Sequence, residues 1–157
     1  MTYSLLKFAH LIGAMVILGT GAGIAFFMLM AHLSRDIHFI ARTAAIVVLS
    51  DFVFTATAII VQPITGYLLL RQTGLFLSES WIVTSLILYV IAGLFWLPVV
   101  WMQMRMRDLA AAAASTGTPL PQSYHRLFRL WFAFGFPGFG SVLLIVWLMI
   151  DKPSLWR

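Results

Sequence analysis

His10 is the residue in this sequence best placed to do chemistry. It is the one ionisable side chain between Phe8 and Ala31, a run otherwise made of apolar, small and hydroxyl residues. An imidazole is costly inside hydrocarbon and therefore marks a functional candidate by default. In its neutral form it is also a good ligand for haem iron. At helical spacing the same face carries Gly13, Ala14, Ile17 and Gly21, so a flat group or a second helix can come close to it. Asp51 is the second candidate, the only carboxylate well inside an apolar run. It could serve as a proton-relay or ion site. An ion pair with Arg105 or Arg129 is favoured instead, because basic residues are plentiful at its level.

The elements that must position these residues follow from composition. Hydrophobic residues make up 62% of the 157 and charged residues 10%, where a soluble domain carries about 25% charged. The chain reads as an all-α membrane protein, a single domain over 1–157 built as a four-transmembrane-helix antiparallel bundle. The spans fall at about 5–32, 43–70, 80–106 and 126–150. Each is long enough for about 30 Å of hydrocarbon. The first run is too long for the apolar core of a signal peptide and lacks a small-x-small cleavage site, so it is expected to be a retained helix. Gly74 is the expected stop of the second span, and the Ala-rich tract Leu109–Ala114 should prolong the third beyond the bilayer. Gly135, Pro137, Gly138 and Gly140 predict a kink in the fourth.

An up-down-up-down order sorts the polar residues by depth. His10 falls level with Gln62, Pro63, Thr65 and Gly66 of the second span, and with Ser85 and Tyr89 of the third. Gln62, Thr65 and Tyr89 are the expected surroundings of the imidazole, which could equally be hydrogen-bonded to Gln62 or Tyr89 as packing glue. Lys7, one turn from His10, reads as a snorkelling anchor or as a weak second ligand. Asp51 falls level with Gln103 and Arg129 near the other end, as a structural polar site.

Arg35, Arg42, Arg105, Arg107, Arg126 and Arg129 lie on the side of the loops after spans one and three. Lys7, Arg71, Lys152 and Arg157 lie on the other. Six against four places both termini on the non-cytoplasmic side. The net charge of +5 is loop charge facing lipid head groups, and nucleic acid is not an expected partner. Cysteine is absent, which excludes disulfides, thiolate metal sites and thiol nucleophiles. Gly19 and Gly23 form a GxxxG pair suited to helix packing. Met102, Met104 and Met106 alternate along a helix and cannot share one face, so a methionine copper cluster is not expected there. Arg35-Asp36 and Arg107-Asp108 close the odd-numbered spans as a faint internal echo.

Lys7-x-x-His10, Gln62-Pro63-x-Thr65-Gly66, Trp96-Leu-Pro98-Val-Val-Trp101, Arg105-Met-Arg107-Asp108-Leu109 and Tyr124-His-Arg126-Leu-Phe-Arg129-Leu-Trp131 together carry a resemblance. They resemble an uncharacterised bacterial family of predicted integral membrane proteins, domain of unknown function 2269, over essentially the whole chain. The resemblance extends to the copper-resistance CopD membrane domain and to HemJ-type protoporphyrinogen oxidase, a four-helix b-haem protein. Lys7-x-x-His10 followed by His32 is similar to the first helix of the HemJ type, whose helix-one histidine is implicated in haem binding. That implies a role for His10 alone. The HemJ type also has a functional lysine later in its bundle, and the third span here has none, so its oxidase activity is not implied.

The expected function is a b-type haem protein of the bacterial inner membrane, for electron transfer or oxidation of a membrane-accessible substrate. His10 would be the axial ligand, with Gly13 beside it and Gln62, Thr65 and Tyr89 around it. A haem held by one histidine would be five-coordinate, use a weaker second ligand such as Lys7 or a water, or bridge two chains, and the last is compatible with a homo-oligomer or a larger membrane complex. The alternatives are a cofactor-free scaffold or accessory subunit, and, more remotely, copper handling.

Overall fold

The computed structural model describes residues 2–156. Among them the helices are α1 (Tyr3–Ser34), α2 (Ile37–Ser50), a π-helical turn (Asp51–Thr55), α3 (Ala56–Thr73), α4 (Ser80–Thr116) and α5 (Gln122–Asp151). α2, the π turn and α3 form one continuous rod, so four helices are long and apolar enough to cross a membrane. Arg157, one of the charges weighed for orientation, lies outside the described residues.

The helix ends obey local rules. Gly74 and Gly117 take left-handed φ of 69° and 64°, and their N–H groups cap Leu70 and Ala113. Only a residue without Cβ does this at no cost. Asp36 caps α2 by accepting from the N–H groups of His38 and Phe39. That cap starts the second helix at Ile37, six residues before the apolar run marks it. The fifth likewise starts at Gln122 rather than 126. Asp36 thus closes a turn, whereas Asp108 pairs with Arg107 within α4, so the two Arg-Asp dipeptides do unlike work.

Helix α4 packs most extensively on α5 and also on α2, while α1 packs on α3 and α2 and more sparsely on α5. The main core lies at the end of the bundle away from the termini. There Ile24 and Met28 of α1, Ile40 and Val47 of α2, Met106 of α4, and Tyr124 and Trp131 of α5 interlock. A smaller cluster of Trp81, Ile82 and Leu148 closes the termini end. Large apolar side chains such as Phe8, Phe27, Ile46, Leu94 and Phe136 are exposed all round the bundle. Water would penalise that rim at about 25 cal/mol per Å², and lipid does not.

Pro63 sits inside α3 and lacks an N–H, which leaves the carbonyl of Ile59 without its helical donor. The Tyr89 hydroxyl of α4 donates to that carbonyl. Since α2 packs on α4 while α3 largely does not, this bond ties the diverging half of the second rod to α4.

Candidate functional site

Toward the termini end, α1 and α3 bring His10 onto the Gln62–Gly66 segment, as depth alone predicts. His10 Nδ1 and Thr65 Oγ1 are 2.8 Å apart. The Thr65 hydroxyl also lies 2.9 Å from the Val61 carbonyl and 3.1 Å from that of Gln62. A hydroxyl has one proton to give. When that proton goes to its own helix, the oxygen accepts from Nδ1–H and leaves the Nε2 lone pair uncommitted. Among the described residues no side chain hydrogen-bonds Nε2. Histidines that ligate metals are commonly fixed in this way through the other ring nitrogen.

The close approach depends on two missing Cβ atoms. A Cβ at Gly66 would stand 3.3 Å from Cε1 of His10. One at Gly13 would stand 3.3 Å from Cδ and Nε2 of Gln62. The small-residue face of α1 is therefore occupied by this chain's own Gln62, and the glycine of α3 by the imidazole. Gly19 and Gly23, by contrast, have nothing within 4 Å, so the GxxxG pair does not pack within this chain.

Other expected neighbours stand apart from the ring. Tyr89 is bound to Ile59, as above, rather than to His10. Lys7 is exposed, with its ammonium 6.0 Å from the Tyr3 ring centroid, which fits an anchor. Ser85 is turned back onto the Trp81 carbonyl of its own helix.

The second site lies toward the other end, and here the expectation is corrected. Asp51 is buried and opens the π turn, in which the Ala56 N–H reaches back five residues to the Asp51 carbonyl. Such bulges are frequent at functional sites. No basic side chain pairs with the carboxylate among the described residues, where Arg107–Asp108 is the only ion pair. Arg105 and Arg129 are exposed, so Arg129 does not belong to the site. Gln103 does belong, its amide nitrogen donating to Asp51 Oδ2 at 2.7 Å and its oxygen accepting from Trp131 Nε1 at 3.1 Å. Trp96 Nε1 donates to Oδ1 at 3.3 Å. The physical reason is reach: at this depth arginines extend to the polar boundary, whereas indoles stay put and offer N–H groups. Trp96 and Trp131 are the residues that sequence reasoning missed. The donor-only indole of Trp131, level with Gln103 and Asp51, is the signal that could have placed it.

A third cluster gathers at the same end. The His32 ring stacks on Phe128 with centroids 3.7 Å apart and 9° between planes, and His125 meets it edge-on at 5.7 Å. Among the described residues no group of three His, Cys, Asp or Glu side chains could hold a metal ion.

Four apolar helices of membrane-crossing length, lipid-facing all round and carrying two polar sites at different depths, define a multi-pass integral membrane protein. The family model described as "predicted integral membrane protein (DUF2269)" matches residues 4–153, and the chain belongs to that family. No curated protein and no solved structure matches it.

Proposed function

We propose that the protein is a b-type haem protein of the bacterial inner membrane, with its termini on the non-cytoplasmic side. The observation that carries this is the His10–Thr65 bond, which fixes the ring through Nδ1 and leaves Nε2 to act as an axial ligand. A haem there would supply one-electron chemistry, either electron transfer or oxidation of a lipid-soluble substrate. Of the side chains described at this depth, His10 is the one that would hold the iron, through Nε2. The approaches at Gly13 and Gly66 are filled by Gln62 and by the imidazole itself, so a porphyrin would lie outside the α1–α3 interface. One histidine at that depth also fits a haem shared between two chains. Thr65 holds the tautomer and Gln62 backs α1 at Gly13. Tyr89 supports the site at one remove, by capping the carbonyl that Pro63 frees. The similarity of Lys7-x-x-His10 to the HemJ-type first helix adds to this reading.

The visible spectrum of protein purified in mild detergent, from cells with ample haem supply, tests it. A reducible Soret band that His10→Ala removes is the expected result. A colourless preparation overturns the reading. It would favour a cofactor-free scaffold, for which the open GxxxG face of Gly19 and Gly23 is the specific support.

A further inference from the structure

Arg71 lies in the last turn of α3, at the termini end of the bundle. The other basic side chains described there lie over aromatic rings, Lys7 at 6.0 Å from the Tyr3 centroid and Lys152 at 5.7 Å from that of Trp81. Arg71 has no acidic partner among the described residues, where Arg107–Asp108 is the only ion pair. Its Nη1 donates to the Tyr67 hydroxyl at 3.3 Å. A guanidinium carries five N–H groups, so most of them stay uncommitted. Because the phenol oxygen accepts this bond, the Tyr67 O–H proton is also left to give.

These two side chains border a hollow. Gly74, with its left-handed φ of 69°, ends α3 and turns the chain. Leu75, Phe76 and Leu77 then stand beside Tyr67 and Arg71 around a cavity of about 340 Å³, within the range of ligand clefts. Its walls are apolar, with one cation and no carboxylate. Phe76 is 72% exposed, an aromatic ring held out at the depth where a bilayer meets water. Below the hollow, Ile60, Ile64 and Leu68 share the side of α3 that carries Arg71, at spacings of four, four and three residues. All three are exposed. Helix α3 packs on α1 and largely not on α4, so this side is open to lipid. From Ile60 to Arg71 the rise is about 16 Å at 1.5 Å per residue, close to half of a hydrocarbon core of about 30 Å.

We propose that the hollow binds an anionic glycerophospholipid, such as phosphatidylglycerol. Its phosphate sits on Arg71 and Tyr67, and one acyl chain runs along Leu68, Ile64 and Ile60. The planar fork of an arginine takes two phosphate oxygens at once, and the Tyr67 hydroxyl donates beside it. Charge decides between lipids. A net-negative head group neutralises the unpaired cation, whereas the ammonium of a zwitterionic head group finds no carboxylate in the hollow to pair with. One arginine near a membrane surface is worth about fivefold in affinity for anionic lipid. The site does not depend on a haem at His10.

The chain has no cysteine, so Leu77→Cys on the rim of the hollow accepts a single bimane fluorophore. The labelled full chain is placed in phosphatidylcholine nanodiscs containing increasing fractions of a nitroxide-bearing lipid, either phosphatidylglycerol or phosphatidylcholine, labelled on the acyl chain near the glycerol. Phosphatidylglycerol should quench at about fivefold lower mole fraction than phosphatidylcholine. Arg71 and Tyr67 are exposed, so Arg71→Gln and Tyr67→Phe should fold normally. The first should abolish the preference and the second should reduce it. Lys152→Gln, at the same end but outside the hollow, should keep it, which separates this site from general surface charge. A large excess of soluble glycerol 3-phosphate should not relieve the quenching; relief would assign the hollow to a soluble phosphate and overturn the lipid site. Equal quenching by the two lipids overturns it, as does a preference that survives Arg71→Gln. A fluorophore that neither lipid reaches overturns it too, since another chain would then cover the hollow.

Discussion

His10 Nδ1 and Thr65 Oγ1 meet at 2.8 Å across 55 residues of chain, joining the first and second membrane-crossing rods. Hydrogen bonds between transmembrane helices contribute about 0.6 kcal/mol on average and up to about 1.7. Thr65→Val, which keeps the shape and removes the acceptor, should lower thermal stability in detergent by about that much. In haem-loaded protein the same change should broaden or shift the Soret band, because the ring loses its orienting partner. An unchanged melting temperature and an unchanged spectrum together would show that the contact does neither job.

Gly66 and Gly13 differ from Gly19 and Gly23 in the space around them. Gly66→Ala drives a methyl to 3.3 Å from the imidazole, and Gly13→Ala does the same against Gln62. Overpacking of this kind costs about 1–3 kcal/mol. Gly19→Ala and Gly23→Ala meet nothing within 4 Å and should be neutral or stabilising by up to about 1 kcal/mol through helix propensity. Thermal unfolding of the four single variants in the same detergent separates the two pairs. If the Gly19 and Gly23 variants lose stability only at high protein concentration, that face belongs to a helix of a second chain.

Tyr89 and Pro63 act on one carbonyl. Tyr89→Phe strands the Ile59 carbonyl and should destabilise by about 1–3 kcal/mol. In a Pro63→Ala background the restored N–H satisfies that carbonyl, so Tyr89→Phe should then cost clearly less. A double-mutant cycle measures the difference. Equal costs in both backgrounds would refute the link between the phenol and the proline.

Asp51 is surrounded by donors. Trp96 and Gln103 both point N–H groups at its carboxylate, and Trp131 orients Gln103 in turn. Gln103→Leu removes the shortest of these bonds and leaves the carboxylate one donor short. It should destabilise by about 1–3 kcal/mol, the cost of leaving a buried polar group without its partner. Removing the carboxylate first, in Asp51→Leu, should shrink that cost. Chemical unfolding in mixed micelles is a suitable measurement, and the absence of coupling between the two positions would dissolve the network.

Much of this was fixed by the order of residues. Runs of some two dozen apolar residues interrupted by Arg35-Asp36, by Gly74 and by the Ser115–Gln122 segment permit only four membrane crossings, because backbone polar groups in lipid must be paired inside a helix. The alternation of direction then puts His10 level with Gln62–Gly66 and Asp51 level with Gln103. Depth is a one-dimensional quantity, and counting residues along rods of known rise is enough to obtain it.

Rotation about each rod is a different matter, and only the tertiary structure decided it. Which neighbour a side chain meets depends on how four helices turn relative to one another, and lipid adds no inside-out bias to set that angle. Thus Thr65 rather than Tyr89 holds His10, and indoles rather than arginines hold Asp51. The π turn at Asp51–Thr55 leaves no mark in hydropathy, since an extra residue in one turn changes neither length nor composition. Packing of the second rod against α1 and α4 also decided which partners each of the two polar sites receives.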